Sequence, residues 1–258
     1  MVPESLLAVF ALLVGLAVGS FLNVIIHRLP RGESIIRPRS RCPHCLSRIA
    51  WYDNIPLLSF VLLRGRCRVC GEPISWRYPV VEILSGLLAL SMVLKFGFRP
   101  ESLIYYAFAA SLLAASVIDL YHKIIPDQIS LGGIVIGVLI ALIPEVGVRF
   151  RESLLGAGAG FLSLFIVIEG YYLITRREGM GLGDAKILGM IGAFMGWRAL
   201  PGVVLIGSLT GVLIGAYMIF IRHKGRFYRI PFGPFLSAGT VAWLFLGDMI
   251  QGQIRFLV

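Results

Sequence analysis

Residues 5–26 read Ser-Leu-Leu-Ala-Val-Phe-Ala-Leu-Leu-Val-Gly-Leu-Ala-Val-Gly-Ser-Phe-Leu-Asn-Val-Ile-Ile, a run without a single charged side chain. Wound as a helix at 1.5 Å per residue, it reaches roughly 33 Å, enough to cross a hydrocarbon layer of about 30 Å. Ala17-Val18-Gly19 imitates the small-x-small cleavage site of a secretory signal. The flanking charge contradicts that reading. Met1-Val2-Pro3-Glu4 carries no Lys or Arg, whereas His27, Arg28 and Arg31 follow the run, and a signal peptide has the opposite polarity. The run is therefore expected to be a retained first span with its amino end outside.

Seven further apolar runs follow, at about 79–96, 102–119, 128–144, 153–174, 185–197, 200–221 and 232–250. The expected fold is an all-α polytopic membrane protein of about eight transmembrane helices. The sixth run is short for a full crossing, which leaves room for a broken or re-entrant element. Composition agrees: 57% of residues are hydrophobic, 15% are charged, and mean hydropathy is +0.85, well away from soluble domains.

The net charge of +10 is explained by loop placement. Ten arginines lie between the first two runs, and by alternation Lys123, Arg176, Arg177, Lys186, Arg222, Lys224, Arg226 and Arg229 fall on the same side. The other side receives Lys95, Arg99, Arg149, Arg151, Arg198 and Arg255. The positive-inside bias makes the richer side cytosolic, and no aromatic-interleaved basic groove points to nucleic acid. The chain divides into a first helix (1–26), a cytosolic segment (27–78) and a transmembrane bundle (79–258). Small residues at four-residue spacing, such as Gly15/Gly19, Gly133/Gly137, Gly156/Gly160, Gly192/Gly196 and Gly207/Gly211/Gly215, are expected to let helices pack closely.

All four cysteines fall in the cytosolic segment, as Cys42-Pro-His-Cys45 and Cys67-Arg-Val-Cys70, with 21 residues between the pairs. Two such knuckles present four thiolates to one tetrahedral site, the pattern of a zinc ribbon. A redox dithiol is the competing reading. Soft thiolates in a reducing compartment suit Zn2+, and four sulfurs saturate it without His44. The metal is expected to be structural, because about 50 residues enclose too little core to fold unaided.

Acids near the spans are costly and so informative. Glu82 begins the second run, Asp119 ends the third, Asp127 begins the fourth, Glu169 sits in the fifth, Asp184 opens the sixth and Asp248 closes the eighth. Asp119, Asp127 and Asp184 share the cytosolic side by alternation, while Asp248 reads as a solvated end on the other. Two contexts stand out. In Asp119-Leu-Tyr-His-Lys123-Ile-Ile-Pro126-Asp127 a helix runs into an acid and a Pro-broken turn. In Gly179-Met-Gly181-Leu-Gly183-Asp184-Ala-Lys186 a glycine loop leads into a helix at an acid. Glycines allow close backbone approach, and an acid at each of two helix ends can share a proton and activate water. Spacing does not choose between Asp119 and Asp127. Lys123 and Lys186 follow the acids, with interfacial snorkelling as their ordinary role.

The chain resembles the bacterial type IV prepilin peptidases, the leader peptidase/N-methyltransferases. The resemblance rests on Gly19-Ser-Phe-Leu-Asn-Val-Ile-Ile-His-Arg-Leu-Pro30, Cys42-Pro-His-Cys45, Trp51-Tyr-Asp-Asn-Ile-Pro-Leu-Leu-Ser59, Arg64-Gly-Arg-Cys67-Arg-Val-Cys70 and Ile74-Ser-Trp-Arg-Tyr-Pro-Val-Val-Glu82. The Asp119 and Gly-x-Gly-Asp184 segments complete it. It implies cleavage of the basic leader from prepilins and pseudopilins at the cytosolic face of the bacterial inner membrane, followed by methylation of the new amino terminus with S-adenosylmethionine. It also implies that Asp119 and Asp184 are the catalytic pair and that Cys42, Cys45, Cys67 and Cys70 bind the metal.

Other hydrolytic chemistries find no support. The sequence holds no His-Glu-x-x-His, and its histidines, His27, His44, His122 and His223, are scattered; no Gly-x-Ser-x-Gly occurs. Nor is there a Gly-x-Gly-x-x-Gly for the methyl donor. The resemblance places that activity in the cytosolic segment, where Asp53 and Asn54 are polar candidates that also suit a turn before Pro56. Two rivals stand beside this reading: a peptidase without methyl transfer, and a zinc-module transporter or scaffold using the acids as ion sites.

Overall fold

The structure, a computed structural model, describes residues 3–143, 146–176, 180–222 and 230–254. The readings placed on Arg177, Gly179, His223, Lys224, Arg226, Arg229 and Arg255 lie outside these residues, as does that on the side chain of Asp248. The described chain is helical: α1 (Glu4–Arg28), α2 (Leu58–Leu62), α3 (Arg77–Phe96), α4 (Pro100–His122), α5 (Asp127–Ile140), α6 (Phe150–Thr175), α7 (Leu182–Met195), α8 (Leu200–Phe220) and α9 (Gly233–Ile254).

A helix stands at each of the eight expected runs, but among the described residues a span both long and apolar enough to cross is found at five. The helices α1, α3, α4, α6 and α8 are long and apolar enough to cross a membrane. By contrast α5 and α7 have 14 residues each, about 21 Å of helix. The described apolar stretch of α9, Gly233–Gly247, is also short. The outward faces are greasy: Phe10 and Leu13 of α1 and Leu205 and Val212 of α8 are all more than half exposed. Such surface is an aggregation hazard in water and ordinary in lipid.

The chain forms two compact units, residues 1–114 and 115–258. In the first, α1 packs along α3 because Gly15 and Gly19 present no side chain. A Cβ at Gly15 would stand 2.6 Å from Ala89 Cβ, and one at Gly19 would stand 2.7 Å from the Glu82 backbone. Backbone polar groups must be satisfied internally in lipid, and the Ser85 hydroxyl helps by donating to the Gly15 carbonyl at 2.7 Å while bonding the Tyr106 hydroxyl at 2.9 Å. The segment between α1 and α3 is tied to this helix pair through Glu82. Its carboxylate is buried and accepts the Leu57 N–H at 2.9 Å, at a residue whose backbone has φ +60. Asn23 donates to the Tyr78 carbonyl at 3.1 Å beside it.

In the second unit α7 is packed along both α5 and α6, and α8 along α9. Gly156 and Gly192 bring α6 and α7 to backbone contact, since a Cβ on either would overlap the other's carbonyl oxygen. From Asp184 to Phe194 every residue of α7 except Lys186 is buried. A helix apolar all round belongs inside a bundle. The shortness of the sixth run thus reflects an enclosed helix, and α7 runs unbroken from Leu182 to Met195.

Candidate active site and metal centre

Asp119 lies in the last turn of α4. The helix ends at His122, and just past it the Lys123 N–H bonds the Asp119 carbonyl at 2.9 Å and Lys123 takes φ +55, ahead of Pro126. Asp184 lies in the first turn of α7, where its N–H bonds the Gly181 carbonyl at 3.1 Å. Both carboxyl side chains are inside the protein, at 6% and 7% residual exposure. Asp119 is near enough for its charge to bear on Asp184.

The start of α9 brings them together. The Gly233 N–H donates to Asp119 Oδ2 at 3.2 Å and also reaches Asp184. Ile125 closes the angle: its side chain would lie 3.0 Å from a Cβ at Gly183 and 3.2 Å from one at Gly233. Asp184 Oδ1 is buried and, among the described residues, has no hydrogen-bond partner. Two enclosed carboxyl groups, one with an uncommitted oxygen, have the chemistry needed to share a proton and activate water.

Asp127, the competitor of Asp119, is placed elsewhere. It starts α5, its side chain is 57% exposed, and it pairs with Lys186 at 2.6 Å. Lys186 is thereby an ion-pair partner of Asp127. An exposed pair of this kind contributes about 0–1 kcal/mol. Asp127→Asn is expected to leave the activity of the Asp119 and Asp184 site within about threefold of the parent, as a rate assay would show. Glu169 sits on α6, partly exposed. Gly233 was not singled out in the sequence. The signal available was Pro231-Phe-Gly-Pro234, a breaker cluster opening an apolar run.

The four cysteines converge. Each knuckle is closed by the same bonds: Cys42 N–H to Ser47 O and Leu46 N–H to Cys42 O in one, Cys67 N–H to Glu72 O and Gly71 N–H to Cys67 O in the other. Leu46 and Gly71 hold the equivalent positive-φ position. All four sulfurs lie within 4.8 Å of one another, with Cys42 and Cys70 at 3.8 Å, and no disulfide joins them. Tetrahedral thiolates at about 2.3 Å from a metal stand about 3.8 Å apart, so the cluster fits one ion. The Ser47 hydroxyl and amide draw the Cys45 thiol down to about 6. At Cys70 the Glu72 amide also pulls down, but desolvation and the other sulfurs outweigh it and push the thiol up to about 12. Crowded thiols resist shared ionisation, a conflict that a bound cation removes.

His44 is exposed and stands outside the cluster. Asp53 is engaged within the module, where Arg68 of the second knuckle grips both its oxygens at 2.6–3.1 Å and lies over the Tyr52 ring. That fork holds the Asp53 carboxyl below its usual range.

Residues 13–96 match the family model described as Bacterial Peptidase A24 N-terminal domain, and residues 106–216 match that of the Type IV leader peptidase family. A Prepilin leader peptidase/N-methyltransferase of Myxococcus xanthus is 45% identical over 219 residues, covering 85% of this chain. The match spans 65% of that relative's own length. Proteins of the same name from Burkholderia pseudomallei and Legionella pneumophila are 38% and 40% identical. These cover 95% and 92% of this chain, and 87% and 91% of their own. No solved structure matches the chain significantly.

Proposed function

The chain belongs to the type IV leader peptidase family, and from that footing we propose that it removes the basic leader from prepilins and pseudopilins and then methylates the exposed amino terminus. The observation that carries the peptidase reading is the meeting of Asp119 and Asp184, two buried helix-end acids, at the Gly233 amide. One carboxylate takes a proton from water as the oxygen adds to the scissile carbonyl, while the other, protonated, donates to the carbonyl oxygen. The adduct collapses, the C–N bond breaks, and the departing amine takes up the proton held by the base. Supporting the pair is the exclusion of Asp127, which is exposed and bound to Lys186.

The metal in this reading is one structural Zn2+ held by Cys42, Cys45, Cys67 and Cys70, as the sulfur spacing and donor type favour. S-adenosylmethionine supplies the methyl group when bound. We place the cysteine module and the acids at the cytosolic face of the inner membrane, supported by the basic residues gathered on that side. The remaining long-run helices α5, α7 and α9 complete an eight-helix membrane body.

The test is incubation of the purified, metal-loaded protein with a full-length prepilin, with and without S-adenosylmethionine, followed by mass analysis. The expected products are methylated mature pilin with the donor and unmethylated mature pilin without it. Mature pilin that stays unmethylated in both would reduce the protein to a peptidase, and intact prepilin in both would remove the proposal.

A further inference from the structure

The opening of α9 is built so that one backbone N–H is left for the acids. The first turn of a helix has donors with no partner inside the helix. Here the Phe232 carbonyl takes two of them, the N–H groups of Phe235 at 3.0 Å and Leu236 at 3.1 Å. Pro234 has no N–H to offer. Gly233 remains, and its N–H points to Asp119 Oδ2 at 3.2 Å, with Asp184 also in reach. The helix N-terminus adds its own partial positive charge on the same side.

The identity of residue 233 matters as much as its amide. A Cβ there would stand 2.8 Å from Asp119 Oδ2 and 3.2 Å from Ile125 Cδ1. The first contact is shorter than real Cβ atoms show, so a side chain would displace the carboxylate or the start of α9. Across the site Asp184 Oδ1, buried and without a partner among the described residues, is the atom free to meet water or the scissile bond. Holding Asp119 still beside that oxygen is a geometric requirement, since a misplacement of about 1 Å can cost on the order of 10²-fold in rate.

We propose that Gly233 is a positioning residue for leader cleavage: its N–H fixes Asp119 beside Asp184, and its missing side chain keeps Asp119 Oδ2 open. This rests on the reading of Asp119 and Asp184 as the catalytic pair. Pro234 is part of the same device, because it removes the neighbouring donor.

The experiment compares Gly233→Ala with the double variant Ile125→Val/Gly233→Ala in the full-length, metal-loaded protein. The Ile125→Val change deletes the Cδ1 atom that a new methyl would touch, but leaves the contact with Asp119. Gly233→Ala is expected to lower kcat for cleavage by about 10²-fold with KM within about twofold, and to move the pH–rate profile, because the new methyl pushes the carboxylate away from the residue 233 N–H. Methylation of pre-cleaved pilin should persist, and the double variant should stay as slow. Parental kcat with an unmoved pH profile in Gly233→Ala would overturn the proposal. So would recovery in the double variant, which would reduce Gly233 to packing against Ile125. If Gly233→Ala also loses methylation, the double variant decides in the same way. The parent reading fails separately, by cleavage in Asp184→Asn protein; an inactive Asp184→Asn beside a fully active Gly233→Ala would sink only the role of Gly233.

Discussion

Asp184→Asn is expected to cut the rate of leader cleavage by at least about 10³-fold, and Asp119→Asn to do the same, while both proteins remain folded. An asparagine keeps the shape of the side chain but neither accepts the proton from water nor shares one with its neighbour. The structural cost should be small at Asp184, whose Oδ1 already lacks a hydrogen-bond partner among the described residues. Packing around it comes from the apolar flank of α7, Ala185, Ile187 and Leu188, each fully buried. A time course of prepilin conversion, with thermal unfolding of each variant as the control for folding, checks both halves. Retention of methyl transfer to pre-cleaved pilin is expected, because the acids lie in residues 115–258 and the cysteine module in residues 27–78.

The second large effect concerns the metal. Cys42→Ser/Cys45→Ser protein should lose about one zinc per chain, measured by elemental analysis, and its methyl transfer should fall by more than about tenfold. Two thiolates cannot close a tetrahedral site, and in so small a module metal binding supplies much of the folding energy. Outside the sulfurs, the module is held by few long-range bonds: the Arg68–Asp53 fork, the Glu82 grip on Leu57 and the Arg28 guanidinium on the Ser34 and Pro38 carbonyls. Cleavage should fall less, since α5, α6 and α7 pack through their own glycine contacts. Metal-free protein with full methyl transfer would contradict the structural role. Equal and complete loss of both activities in a folded protein would contradict the separation of the two sites.

The parts of this structure that local chemistry controls were legible in the sequence. Apolar runs marked the positions of α1 and of α3 to α9, because each must face lipid or a neighbouring helix along its length. The two Cys-x-x-Cys turns announced a common site, and the glycine pairs announced helix contacts that Gly15, Gly156 and Gly192 make. Lengths were less legible: hydropathy continues past Ile140 to the end of its run, whereas α5 stops there, and a hydropathy profile does not distinguish an enclosed helix such as α7 from a crossing one. Asp119 and Asp127 flank one Pro-broken turn with similar local surroundings, so their separation needed tertiary facts, namely Lys186 for one and Gly233 for the other. Gly233 stayed hidden because its contribution is a backbone N–H, and it stands far along the chain from either acid. The Asp53–Arg68 fork escaped notice for a related reason, since 15 residues and the fold of two knuckles separate its members.

The central claim, that Asp119 and Asp184 together perform the cleavage and Asp127 does not, is tested most directly by one side-by-side mass measurement. Equal amounts of the Asp119→Asn, Asp184→Asn and Asp127→Asn proteins are incubated with the same prepilin and S-adenosylmethionine. The expected spectrum shows intact prepilin from the first two and methylated mature pilin from the third. Mature pilin from either of the first two, or intact prepilin from a folded Asp127→Asn protein, would contradict it.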